Sequence, residues 1–143
     1  LGRERAMAHG AAGAALRGGG LVVKGRGGAR SGIDQKGGNI LTLGSAGSMT
    51  GFMMQRGRQV ICGDAGPGLG DSMYDGIIYV AGKVKALGID CVPGEWTDAD
   101  TEFVQRKFSI HELGSPPEFQ KFVCGKKLYN YDNLEPSERK LVL

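Results

Sequence analysis

Residues 37–84 read GGNILTLGSAGSMTGFMMQRGRQVICGDAGPGLGDSMYDGIIYVAGKV, and their glycines return every nineteen positions. Extended outward, the pattern resolves into ladders. Gly13, Gly32, Gly51 and Gly70 form the first, Gly19, Gly38, Gly57 and Gly76 the second, and Gly25, Gly44, Gly63 and Gly82 the third. A fourth, Gly28, Gly47 and Gly66, lapses at Lys85. Such a period marks a solenoid whose repeats cannot bury an apolar face alone and must stack. Between the second and third ladders each repeat carries a β-favouring run: Leu21–Val23, Ile40–Leu43, Val60–Cys62 and Ile77–Val80. These predict strands that pair in parallel from coil to coil. Glycine suits the ladder positions because tight corners need φ > 0 or close passage of one coil over the next.

The expected fold is therefore all-β: a single-stranded right-handed parallel β-helix of about four coils, followed by a C-terminal helix and an extended tail. Residues 1–94 form the β-helix, with an incomplete first coil, and residues 95–143 the helix and arm. Glycine gaps of six suggest a left-handed hexapeptide helix as competitor, but the spacing of six, six, three and four breaks a strict six-residue period. The first residue is leucine rather than methionine, which leaves room for further coils upstream.

Alternation along the strands assigns their faces. Leu21, Ile40, Gln59 and Ile78, with Val23, Thr42, Ile61 and Val80, point inward, and Leu16, Gln35, Met54 and Met73 close the core from another side. The other face is apolar too: Val22, Leu41, Val60 and Tyr79, flanked by Leu43, Cys62 and Ala81. A strand apolar on both sides is covered on both sides. A docked partner protein is the expected cover, and the C-terminal tail folding back is the competing one. Thr97 reads as a helix N-cap, Asp98, Asp100 and Glu102 favour the helix start, and Phe103, Val104, Lys107 and Phe108 share one face suited to plugging an open end of the stack. A short amphipathic piece, Phe119–Val123, follows.

Composition narrows the function. The 143 residues hold 26 glycines without a collagen G-X-Y pattern. No apolar run reaches the roughly 18 residues of a membrane span, so no membrane partner is expected and the chain reads as cytoplasmic. Cys62, Cys91 and Cys124 are too widely spaced for a disulfide framework or a CxxC metal pair, and are expected to be reduced. Residues 1–60 carry nine basic side chains against Glu4 and Asp34, while the remainder is net acidic. Apart from Phe52 the basic half lacks interleaved aromatics, so no nucleic-acid partner is expected.

No chemistry-bearing constellation emerges. Residues 63–70 contain a glycine-rich run, but a dinucleotide loop must lie between a strand and a helix, and here another strand follows. Only Gly68 stands outside the ladders. His9 and His111 have no metal-like spacing, Ser45, Ser48 and Ser72 sit in turns, and Asp64, Asp71 and Asp75 fit turn chemistry. No catalytic, cofactor-binding or metal-binding residue is assigned. The assigned residues are structural or interfacial: Gly19, Gly38, Gly57, Gly76, Gly25, Gly44, Gly63, Gly82, Val22, Leu41, Val60 and Tyr79.

Residues 18–32 (GGGLVVKGRGGARSG) and 37–84 resemble the GXGXG right-handed β-helix domain at the C-terminal end of the glutamate synthase large subunit. The tail GKKLYNYDNLEPSERK, residues 125–140, is similar to stand-alone versions found in N-methylglutamate synthase and dehydrogenase complexes. The resemblance implies a non-catalytic scaffold subunit of a hetero-oligomeric oxidoreductase. Amidotransferase-like and FMN-binding partner subunits would do the chemistry, with FMN and an iron–sulfur cluster on those partners and no cofactor on this chain. Gln35 and Gln59 depart from the family's apolar preference, which predicts wetter or less regular corners there. Two alternatives stand beside this: the β-helix subunit of a formylmethanofuran dehydrogenase, and an independent acyltransferase-type enzyme.

Overall fold

The computed structural model describes residues 3–6 and 19–125. Gly13, Leu16, His9 and the arm beyond residue 125 lie outside them. The elements are β1 (Arg3–Ala6), β2 (Gly20–Val23), β3 (Lys36–Thr42), β4 (Arg56–Ile61), β5 (Ala65–Leu69), β6 (Ile77–Val80), β7 (Val84–Leu87), β8 (Cys91–Pro93), α1 (Asp98–Ile110) and β9 (Gln120–Cys124). The four runs of β-branched and aliphatic residues are the inner parts of β2, β3, β4 and β6, and they stack in parallel. Ile40 pairs with Leu21, Gln59 with Ile40, and Ile78 with Gln59, so each coil lies nineteen residues above the last. Nineteen is not a multiple of six, and the hexapeptide architecture is set aside. The chain is a β-solenoid of about four turns with one C-terminal helix.

β1 pairs with β2 through Arg3 and Gly20, a shorter step that fits a worn first coil. A second, two-stranded sheet joins β5 to β7, and Ala46 bridges to Ala65 in the same nineteen-residue register. The interior between the sheets holds Met54, Ile61, Leu69, Met73, Ile78 and Val80.

Two physical reasons divide the glycine ladders. The second occupies left-handed backbone throughout, at φ 73, 71, 98 and 105 for Gly19, Gly38, Gly57 and Gly76. The third is needed for closeness instead: a Cβ on Gly44 would stand 2.7 Å from the Gly25 carbonyl oxygen, and one on Gly82 2.6 Å from that of Gly63. The amides of Gly44, Gly63 and Gly82 donate to the carbonyls of Gly25, Gly44 and Gly63 at 2.9–3.0 Å. Gly68, outside the ladders by residue type, is inside them by conformation. Its φ of 80 repeats the left-handed Met49 (φ 58) and Arg30 (φ 56), one and two coils below.

Gln35 is wholly buried, and its Nε2 donates to the carbonyls of Gly37, Gly38 and Arg58 at 3.0–3.3 Å. The β3–β4 register shifts between Lys36 and Asn39, beside this amide, so the irregular corner lies where the glutamine enters. Gln59 Nε2 donates to the Ser31 carbonyl at 3.3 Å.

Two sequence expectations need correction. The helix does not plug an end of the stack: Phe103, Val104 and Phe108, with Phe119, pack against Val22, Leu41, Val60 and Tyr79. That outer face is thus covered by the chain's own helix rather than by a partner, because the helix's apolar stripe meets the stripe of outward side chains. The end is covered by β9, which pairs antiparallel with β6 and then with β8, and whose Phe122 enters the interior cluster. A backbone with unpaired edge groups is better closed by a strand than by a helix, which has no free donors along its side.

Candidate functional site

The densest polar chemistry lies under α1. Thr97 caps the helix with extended backbone, and Asp100, at the third helical position, returns the bond to the Thr97 amide at 2.8 Å, a reciprocal capping box. This places the Asp100 carboxylate against the sheet. Tyr79 of β6 donates its hydroxyl to Oδ1 at 2.6 Å, and Lys121 of β9 donates Nζ to Oδ2 at 2.7 Å. The Thr97 hydroxyl lies 2.9 Å from Oδ2, and Lys121 also donates to the Glu95 carbonyl at 2.9 Å. One carboxylate therefore ties together the sheet, the helix and the end-covering strand.

Burial alone would raise the Asp100 carboxyl, but the bonds from Lys121, Tyr79 and Thr97 outweigh it and hold the group at about 2. The Tyr79 phenol is pushed upward by burial first and by Asp100 second. Around neutral pH the phenol keeps its proton and the carboxylate its charge, so this pair clamps rather than exchanges protons. Aromatic packing closes the clamp: Tyr79 stacks on Phe103 with centroids 5.7 Å apart, Trp96 meets Tyr79 edge-on at 5.5 Å, and the Arg58 guanidinium carbon sits 4.5 Å from the Phe103 ring centre.

The sequence did not single out this clamp. Asp100 was legible as a first-turn acid, but its partners Tyr79 and Lys121 lie on other elements. A second device was hidden at the corners. Ser45 Oγ accepts from the Asp64 amide at 2.9 Å, and Asp64 Oδ1 accepts from the Lys83 amide at 2.8 Å, so one position repeats the same staple coil after coil. Asp71 Oδ2 likewise accepts from the Ile89 amide at 3.1 Å. Asp64 and Asp71 are corner fasteners.

The glycine-rich run at 63–70 contains β5 rather than a phosphate loop. The Ala65 amide donates to the Lys83 carbonyl at 2.8 Å and that of Gly66 to the Ala46 carbonyl at 3.0 Å, so both serve the stack. Among the described residues no three His, Cys, Asp or Glu side chains gather as a metal site, and no helix is long and apolar enough to cross a membrane.

Two of the surface grooves adjoin the residues assigned from the sequence and the helix. One of about 450 Å³ follows the second-ladder corner, floored by Gly37, Gly38, Gly57 and Gly76 and flanked by Arg56, Arg58 and Asp75. The other, about 330 Å³, lies between α1 and Pro116–Phe119, with Trp96 at its rim 40% exposed. Gly38, Gly57 and Gly76 thus meet at one groove, whereas Gly44, Gly63 and Gly82 are stacked at another corner.

Fold and site together define a clamped β-solenoid whose side chains fasten coils to one another. No protein-family profile and no solved structure matches the chain. A stretch of 67 residues is 41% identical to Protein GlxC of Rhizobium meliloti (strain 1021), covering 43% of this chain and 28% of that protein.

Proposed function

We propose that this chain is a cytoplasmic scaffold subunit of a glutamate-synthase-like oxidoreductase complex. It would hold an amidotransferase-type component and an FMN and iron–sulfur component in register, in an assembly of the glutamate or N-methylglutamate synthase or dehydrogenase kind. The observation that carries this is the nineteen-residue register shared by the inner parts of β2, β3, β4 and β6, which makes a stiff spacer and matches the glycine pattern on which the family resemblance rests. The partial similarity to Protein GlxC supports the coarser part, a glutamate-synthase-like protein. The groove beside Trp96, with Ile110 also exposed on the helix, offers apolar surface to a neighbouring subunit.

The test is affinity isolation of the full chain from its native cells, followed by mass spectrometry and flavin analysis of what accompanies it. The expected result is a stoichiometric complex whose flavin and iron stay with the other subunits on dissociation. A chain that elutes alone as a monomer and itself retains FMN sinks the proposal.

A further inference from the structure

β8 and β9 pair antiparallel with Cys91 directly opposite Cys124. Two backbone bonds fix the phase of this ladder: the Gly125 amide donates to the Asp90 carbonyl at 2.7 Å, and the Gly94 amide donates to the Lys121 carbonyl at 2.8 Å. Bonded and non-bonded pairs alternate along an antiparallel ladder, so the cysteines form a non-hydrogen-bonded pair. In such pairs the Cα atoms approach to about 4.5 Å, within the roughly 4.4–6.8 Å span of a disulfide.

The two side chains share a neighbourhood as well. Residues opposite each other in a ladder point to the same face, and both cysteines pack into the interior cluster that contains Met73. Cys124 Sγ lies 3.2 Å from the Met73 carbonyl oxygen. A Cβ built on Gly70 would stand 2.7 Å from Cys91 Sγ and 3.0 Å from Met73 Sδ, so both cysteines border Met73.

We propose that Cys91 and Cys124 are a thiol pair that closes reversibly into a disulfide, locking the β8–β9 cap on the end of the solenoid. The oxidant is a small-molecule disulfide. The half-buried Cys124, deprotonated, attacks one sulfur of the oxidant, forming a mixed disulfide and expelling one thiolate. Cys91 then loses its proton and attacks Cys124 Sγ, which forms the internal S–S bond and expels the second thiolate. The two protein thiols give up two electrons, the oxidant becomes two thiols, and the two protons end on those leaving groups. Burial, and secondarily Cys124, raises the Cys91 thiol to about 11, which disfavours the thiolate that the second attack needs. The internal S–S bond falls within the usual Cα range of a disulfide and is open to reduction by added thiol. It closes a covalent loop around α1, with Asp100 and Lys121 inside it, so oxidation tightens the whole flank. Cys62 lies outside this pair, against the cluster beneath α1.

The full chain treated with oxidised glutathione and digested without reduction should yield a Cys91–Cys124 cross-linked peptide. Two of its three thiols are lost to titration while Cys62 remains, and dithiothreitol reverses a rise in melting temperature. Cys62→Ser keeps the cross-link, and Cys91→Ser stops at a single glutathione adduct on Cys124. Glutathione adducts on the unmutated chain without the internal cross-link, or links only between chains, overturn the proposal.

Discussion

Replacing Gly57 by valine tests why the ladders are glycine. Gly57 has φ 98, and a Cβ there would meet Gln35 Nε2 at 2.6 Å, the Gly38 carbonyl oxygen at 2.7 Å and the Gly37 carbonyl carbon at 2.8 Å. Left-handed backbone costs a residue with a Cβ about 1–2 kcal/mol, and a β-branched one more. Two of the three obstructing atoms are backbone of the coil below, which cannot swing aside, and the third belongs to a buried amide whose bonds to Gly37 and Gly38 are worth about 1 kcal/mol each. Together these come to at least about 4 kcal/mol, the range that marks a severe lesion and a large part of a typical domain's stability. Two companions separate the causes. Gly114→Ala carries the backbone cost alone, since φ is 79 and nothing lies within 4 Å, and should lose about 1 kcal/mol. Gly44→Ala carries crowding alone, against the Gly25 carbonyl, and should lose about 1–3 kcal/mol. Urea unfolding of the three variants gives the comparison. A Gly57→Val protein that loses no more than Gly114→Ala would refute the reasoning.

Other consequences follow from the clamp and the corners. The Asp100 carboxyl sits at about 2, below the roughly 3.9 of an unfolded chain, so its contribution of about 2 kcal/mol is present above pH 4 and lost as pH falls toward 2. Asp100→Asn should flatten the pH dependence of unfolding in that window. Phe103→Ala removes the ring that Tyr79 stacks on and that Arg58 covers, and should cost about 3–5 kcal/mol in urea unfolding. Arg30→Gly places glycine where the equivalent Gly68 already has it. Relief of left-handed strain, less the added freedom of the unfolded chain, should raise stability by about 0.5–1 kcal/mol in a thermal melt.

The parts of the fold that repeat were legible because every coil states them again. The strands, their register, the corner glycines and the inward Met54 and Met73 all follow from period and alternation. The Thr97 cap was legible because capping is local. The helix's apolar stripe announced that Phe103, Val104 and Phe108 would dock, but a stripe does not say where, and the matching stripe of Val22, Leu41, Val60 and Tyr79 runs across four separate coils. The second sheet was obscured because β5 reads Ala65-Gly66-Pro67-Gly68-Leu69, which is turn chemistry to any local rule. The clamp and the cysteine pair escaped for a different reason: Tyr79, Asp100 and Lys121, like Cys91 and Cys124, are brought together only after β9 returns to the end of the stack.

The stacking itself is most directly tested by NMR couplings measured through hydrogen bonds. Couplings are expected from the Gly44 amide to the Gly25 carbonyl, from Gly63 to Gly44 and from Gly82 to Gly63, one rung per nineteen residues. Couplings that join residues eighteen apart, or none between successive glycines, would contradict it.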